Sequence, residues 1–477
     1  MLHQGQLRAT RAGFREMFDS PKAASLYCLL KQIDTAGLRS GLPRNETMAK
    51  ILVTATPVPG HVLPLAAIAA DLTRRGHEVL FYTGTRFEDR VRRTGARFVP
   101  YPAEADVDGA DLSATFPERD ALAPFERISF DLKHFAADPA PLHDRRLQEL
   151  LAEFPATVVI SELLSLWTLA TVLRAPREQR PLLMTIGIAP PPFASADTAP
   201  FGPGLLPPTT DEERAAYDAM RAQVAAMFAD AQQYVEGVFT SMGVTFPGPI
   251  FDAMCTVPDL LLQLTVPAFE YPRSDASESF RFIGPLPAAS DSEFERPGWW
   301  AELSSGRPVV VVTQGTVENG DLSQLVVPTL RALADADVTV VAATARPDGP
   351  DLVREEMGGQ VPGNVRLAGF VPFEELLPLA DVLVTNAGYG GVQTALRHGV
   401  PLVVGGETED KPEVAARVEW SGTGVNLRTA RPEVSALRAA VDEVLDDPRY
   451  RKRAAEIQGQ YAEYHPFDVI AEIVEQA

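Results

Sequence analysis

The chain has 477 residues, with 43 Lys or Arg against 64 Asp or Glu, a formal net charge of −21, 45% apolar residues and 22% charged ones. This length exceeds what one hydrophobic core serves, so two sizeable domains are expected, and the acidic balance disfavours nucleic acid and anionic membrane surfaces as partners. Cys28 and Cys255 lack any disulfide, metal or redox spacing, no run of about 18 apolar residues occurs and no secretion signal is present, so a cytoplasmic protein without integral membrane association is expected.

Residues 1–47 carry seven Lys or Arg against four Asp or Glu and show no strand pattern, and they read as an N-terminal extension. From Met48 the pattern becomes strand, turn, helix, strand. Ile51-Leu52-Val53 is continuously apolar, as a parallel strand buried on both faces requires. Pro64 suits a first helical turn, Leu65, Ile68, Ala69 and Leu72 recur at helical spacing, and Gly76 ends the helix before the strand Glu78 to Tyr82. Phe87 to Tyr101 repeats the plan, which predicts a doubly wound parallel sheet. Residues 103–155 and 187–257 are irregular and hold Phe116, Phe125, Phe130, Phe193, Phe201, Met220 and Met227. Singly each reads as core; their concentration in one half points to an apolar ligand.

Leu260-Leu261-Leu262 resumes the sheet, and after Phe282 to Pro287 a polar stretch ending at Trp299-Trp300 reads as an interdomain linker. A second series follows: strand Val309 to Thr313, helix Leu322 to Ala334, strands Val338 to Ala342 and Val365 to Ala368, helix Glu374 to Leu379 and strand Val382 to Thr385. Two Rossmann-like halves are expected to bind ligands at the carboxyl ends of their strands, in the cleft between them. The expected domains are therefore 48–287 and 288–460, followed by a tail helix over 461–477.

The last of these strands runs into Asn386-Ala387-Gly388-Tyr389-Gly390-Gly391, with a helix expected from Val392. Glycines let a ligand approach the backbone, and unpaired amides at a helix start suit a diphosphate without Lys or Arg. No Gly-Lys-Ser or Gly-Lys-Thr follows, so the turn is not a Walker loop. His61, at the end of the first strand and the entrance of the first helix, is placed to face the cleft and to take a proton near neutrality. Glu162, after Val158-Val159-Ile160, is the candidate carboxylate to fix its tautomer, with a solvated loop carboxylate as the alternative. Asp106 to Asp108 and Asp335 to Asp337 read as surface, and no metal site is expected.

TNAGYGGVQTALRHGVPLVVGGETEDKPEVAARV, residues 385–418, resembles the donor-binding segment of the UDP-sugar-dependent glycosyltransferases of small natural products; VTATPVPGHVLPLAAIAADLTRRGHEV and FIGPL extend the likeness from Met48 onwards. The resemblance implies the GT-B fold, an α/β architecture of two Rossmann-like domains facing across a cleft, with the acceptor on the first and the nucleotide sugar on the second. It implies that Asn386, Gly388, Tyr389, Gly390, Gly391 and Val392 hold the diphosphate, that Thr316 lies beside it, that Phe370 and Val371 frame the nucleobase, and that His61 is the catalytic base. That family usually has His where this chain has Asn386, Glu near Thr394, and Asp-Gln or Glu-Gln where Asp410-Lys411 stands. Asp410 can accept from sugar hydroxyls, Gln393 can compensate for the short Thr394, and Lys411 offers a cation to a phosphate or an acidic sugar; alternatively Asp410 and Lys411 cap and solvate the following helix. The implied reaction is inverting, metal-independent transfer from a UDP-sugar, with UDP-glucose as the default and dTDP-sugars as alternatives, to a hydroxyl of an apolar natural product. The sugar nucleotide is a co-substrate and no further cofactor is implied. A UDP-sugar 2-epimerase and a non-catalytic glycosyltransferase-like partner protein are the competing readings.

Overall fold

The computed structural model describes residues 48–107, 109, 112–287, 294–316 and 318–477. The chain divides into two units, 1–47 and 48–477; the first, where the N-terminal extension is expected, lies outside the described residues, as do Asp108 and residues 288–293 of the expected linker.

Within the second unit the first sheet has seven parallel strands in the order β3-β2-β1-β4-β5-β6-β7: β1 (Lys50–Thr54), β2 (Glu78–Thr83), β3 (Arg97–Pro100), β4 (Val158–Glu162), β5 (Leu182–Gly187), β6 (Leu260–Gln263) and β7 (Phe280–Phe282). The second has six parallel strands in the order β10-β9-β8-β11-β12-β13: β8 (Val309–Thr313), β9 (Thr339–Ala343), β10 (Val365–Ala368), β11 (Val382–Thr385), β12 (Leu402–Val404) and β13 (Gly424–Asn426). Strands β1, β4, β8 and β11 are apolar on both faces because helices cover both, and their Val, Ile and Leu side chains are almost entirely buried. The strand order reverses between β1 and β4 in one sheet and between β8 and β11 in the other, and at such switch points the diverging loops leave a crevice beyond the strand ends.

Helix starts differ from the sequence expectation. Helix α1 (Pro59–Arg74) begins five residues before Pro64, because Pro59 supplies the preset φ at its first position, and His61 thereby enters the first turn. The expected helix 322–334 is regular only over Val326–Ala332. Helix α2 (Tyr389–Arg397) starts three residues ahead of Val392, so Gly390 and Gly391 lie within its first turn. Helix α3 (Lys411–Ser421) follows β12, and the chain ends in helices α4 (Pro448–Tyr461) and α5 (Pro466–Gln476), the second of which lies within 461–477.

The lobes are tied in more than one place. Between β6 and β7 the chain sends Val266 and Phe269 into the core of the second lobe, beside Leu383, Val392 and Val414. Conversely, Ile470, Ala471 and Val474 of α5 pack with Ile51, Val62 and Ile283 of the first. Of the aromatic residues in the irregular segments, Phe193 is buried in the core and stacks edge-on to Phe280, and the half-buried Phe116 and Phe130 meet edge-on.

Candidate active site

The register Ile51↔Val158 and Val53↔Ile160 sets the ends of β1 and β4 side by side. Glu162 is the last residue of β4 and is 1% exposed. Its Oε1 accepts from the Thr56 amide at 3.0 Å, the Thr56 hydroxyl at 2.7 Å and the Ser165 hydroxyl at 2.7 Å. Its Oε2 accepts from the Leu164 amide at 2.8 Å and lies 2.7 Å from His61 Nδ1. A solvated loop carboxylate is thus excluded. Burial opposes ionisation of Glu162, but the His61 charge and the bonds from His61, Thr56 and Ser165 prevail and hold its pKa at about 2. A permanent carboxylate on Nδ1 fixes the proton there and leaves Nε2 as the acceptor.

The His61 side chain is 21% exposed, and among the described residues no hydrogen bond occupies Nε2. Burial disfavours its protonated form; Glu162, and then Asp410 and Glu409 of the opposite lobe, outweigh this and raise its pKa above 6.5.

In the second lobe Thr385↔Thr313 is the last pair of the β11–β8 register, which brings Asn386 against Gln314. Asn386 Nδ2 donates to the Gln314 carbonyl at 2.7 Å, while its buried Oδ1 has no partner. The Gln314 side chain ties down the loop after β8, accepting from the Leu325 and Val326 amides and donating to the Glu318 and Asp321 carbonyls. Ala387 at φ 67° and Glu409 at φ 55° adopt left-handed backbone, which is unfavourable for residues with a Cβ and concentrates strain at the cleft.

Helix α2 has no side-chain cap, so the amides of Tyr389, Gly390 and Gly391 point out of its first turn without intrahelical acceptors. Val392 does not join them, since its amide donates to the Gly388 carbonyl at 3.1 Å. The Tyr389 ring is turned away into the lobe interface, where its hydroxyl accepts from Gln263 Nε2 at 2.8 Å. Gln393 Oε1 accepts from Thr265 and Tyr461, while its buried Nε2 has no hydrogen-bond partner among the described residues. The Thr394 hydroxyl donates back to the Gly390 carbonyl at 2.8 Å. Thr316 is exposed on the bend after β8, Phe370 is 63% exposed beyond β10, and Val371 beside it packs on the lobe core.

Asp410 is the residue before α3 but makes no capping bond. Its carboxyl is raised to about 6, chiefly by burial and further by Glu409, against the pull of Lys411. Lys411 is not a free cation. It is 5% exposed, and its ammonium pairs with Glu409 and with Glu318 at 3.3 Å. Among the described residues no cluster of three or more His, Cys, Asp or Glu could hold a metal, and no helix is long and apolar enough to cross a membrane.

Residues that sequence reasoning missed lie between the lobes. Arg417 of α3, 1% exposed, bonds Glu270 at 2.7 and 2.8 Å and Glu413 at 3.0 Å, and Glu270 also pairs with Arg273. Gln263 Nε2 bridges Tyr389 and the Ala189 carbonyl. Ser165, three residues after Glu162, was the one addition legible from local spacing.

Two opposed Rossmann-like lobes, with a buried carboxylate–imidazole pair on one and a Gly-rich helix start on the other, define a GT-B enzyme. Residues 328–476 match the model of the erythromycin biosynthesis protein CIII-like C-terminal domain. The chain is 38% identical over 434 residues to UDP-glycosyltransferase 2 of Phaeomoniella chlamydospora, covering 89% of this chain and 95% of that protein. It is 40% identical over 417 residues to 4'-demethylrebeccamycin synthase of Lentzea aerocolonigenes, covering 87% and 96%. The fold is shared with the kitacinnamycin glycosyltransferase, at TM-score 0.68 and 22% identity over 91% of this chain and 99% of that one. The calicheamicin glycosyltransferase CalG4 gives TM-score 0.64 and 22% identity over 90% and 98%. The chain belongs to the UDP-glycosyltransferase family and is a glycosyltransferase.

Proposed function

We propose that this enzyme transfers a sugar, with inversion and without a metal, from a UDP-sugar to a hydroxyl of a small, largely apolar natural product, and that UDP-glucose is the donor. The observation that carries this reading is the His61–Glu162 pair at 2.7 Å, with the carboxylate buried and Nε2 of His61 left as the acceptor. The acceptor hydroxyl gives its proton to His61 Nε2 as its oxygen attacks the anomeric carbon, and the bond from that carbon to the diphosphate oxygen breaks on the far side. The departing charge falls on the amides of Tyr389, Gly390 and Gly391; preorganised donors of this kind supply several kcal/mol, about 3 for each one. Phe370 and Val371 frame the base, Thr316 and Gly388 flank the diphosphate, and Asp410 accepts from the sugar. The relatives named for UDP-sugar transfer and for rebeccamycin synthesis support the donor and the acceptor class.

The test is incubation with UDP-glucose or dTDP-glucose and a panel of phenolic and polyketide alcohols, with the anomeric configuration of the product read by NMR. A β-glucoside from UDP-glucose is expected. An α-glucoside would overturn inversion, preference for dTDP-glucose would reassign the base, and epimerised sugar nucleotide without any glycoside would overturn transfer.

A further inference from the structure

Residues 189–205 connect β5 to the helices of the first lobe without regular structure, yet they are held at many points. Ser195 donates to Asp275 at 2.7 Å, the Ser274 amide to Asp197 at 2.6 Å, and Arg221 to the Ser195 and Thr198 carbonyls. Two fastenings reach the other lobe. Gln263 joins the Ala189 carbonyl to Tyr389 at the start of α2. Near the far end, the Gly202 and Gly204 amides both donate to Glu413 Oε1, at 2.7 and 3.0 Å. Gly204 is buried at φ 62°, and a Cβ there would stand 2.4 Å from the Pro412 carbonyl, so the strap's backbone lies directly on the first turn of α3, two residues beyond Asp410. Glu413 is 4% exposed, and its other oxygen is held by Arg417.

We infer that Glu413 is a positioning residue that holds the 189–205 strap over the sugar end of the donor site and so keeps water from the anomeric carbon. This rests on the proposed donor site. Its contribution is selective because glycosyl transfer and hydrolysis share one electrophile. In hydrolysis a water oxygen bonds the anomeric carbon, the carbon–diphosphate bond breaks, and free sugar, UDP and a proton are released. A strap fastened to α3 excludes that water from the anomeric carbon.

The experiment measures UDP-glucose hydrolysis without acceptor, and UDP affinity by calorimetry, in the full-length enzyme and three variants. Glu413→Ala removes the acceptor of both glycine amides and is expected to raise hydrolysis at least tenfold while UDP affinity stays within twofold. Glu413→Gln keeps an amide oxygen for Gly202 and Gly204 but loses the charge facing Arg417, and it should hydrolyse at the wild-type rate. Gly204→Ala lifts the strap from the opposite side and should reproduce the leak, which keeps the test open if Glu413→Ala fails to fold. Unchanged hydrolysis in both Ala variants, or an equal leak in Glu413→Gln, would overturn the assignment with the donor site intact. Failure of the wild type to bind UDP would overturn the donor site and the strap's role together.

Discussion

His61 Nδ1 lies 2.7 Å from Glu162 Oε2; Glu162 ends β4 and His61 sits in the first turn of α1, which follows the adjacent strand β1, at the point where the first sheet reverses its order. Because the backbone register sets the pair, and Thr56, Leu164 and Ser165 orient the carboxylate, the imidazole is held with little freedom to reorient. This preorganisation has a pH signature. Transfer needs neutral His61, whose pKa is raised above 6.5, so kcat/KM should fall as pH drops through a value higher than that of a free imidazole.

Glu162→Gln removes the largest influence that raises the His61 pKa and leaves burial, which lowers it. The acid limb of the pH profile should then move below 6.5 while kcat drops roughly 10²- to 10⁴-fold. A limb that stays above 6.5 would mean that Asp410 and Glu409 dominate His61.

His61→Ala should abolish transfer, with UDP affinity within about twofold of wild type, because the proposed diphosphate amides belong to the opposite lobe. Rapid transfer by this variant would remove His61 from the reaction.

How much of this was legible follows from distance along the chain. The continuous apolar runs of β1, β4, β8 and β11 announce buried parallel strands, and residues at their carboxyl ends fall at the switch points by the logic of the fold. The helix start at Tyr389 was obscured because Gly390 and Gly391 read as turn residues, whereas Ala387 takes the left-handed conformation and completes the turn earlier. Side chains with distant partners were not legible. Tyr389 meets Gln263 across 126 residues and Glu413 meets Gly202 across 211, and no local spacing signals either contact. Lys411 looked like an available cation because Glu318, 93 residues before it, closes on it only in the folded chain.

Asn386→Ala tests whether amides or this side chain hold the diphosphate. Its Nδ2 is committed to the Gln314 carbonyl and only an acceptor oxygen remains, so UDP affinity should change by no more than about threefold. The lost bond should cost roughly 1–2 kcal/mol of stability in urea titration. A hundredfold loss of affinity with stability intact would reassign the anion contact to Asn386.

Arg417→Met leaves Glu270 and Glu413 buried with a missing partner, and should destabilise the protein by about 3–5 kcal/mol in denaturant unfolding. Adding Glu413→Gln, which neutralises one of the two stranded carboxylates and leaves the Glu270–Arg273 pair intact, should recover part of this loss, since the cost comes from stranded charge. A double variant weaker than the sum of the single ones would assign the effect to packing instead.

Phe370 is the test of the nucleobase contact. Its ring is 63% exposed, so Phe370→Ala should leave stability within about 0.5 kcal/mol. A ring left open beyond the carboxyl end of the edge strand β10 is suited to receive the flat face of a base, and stacking there should be lost with the side chain. UDP affinity is expected to fall about tenfold, equivalent to about 1.4 kcal/mol. Inorganic pyrophosphate, which has no base, should bind both proteins equally. Equal losses for the two ligands would instead mean that Phe370 shapes the neighbouring loops, and unchanged UDP affinity would place the base elsewhere along the rim of β10.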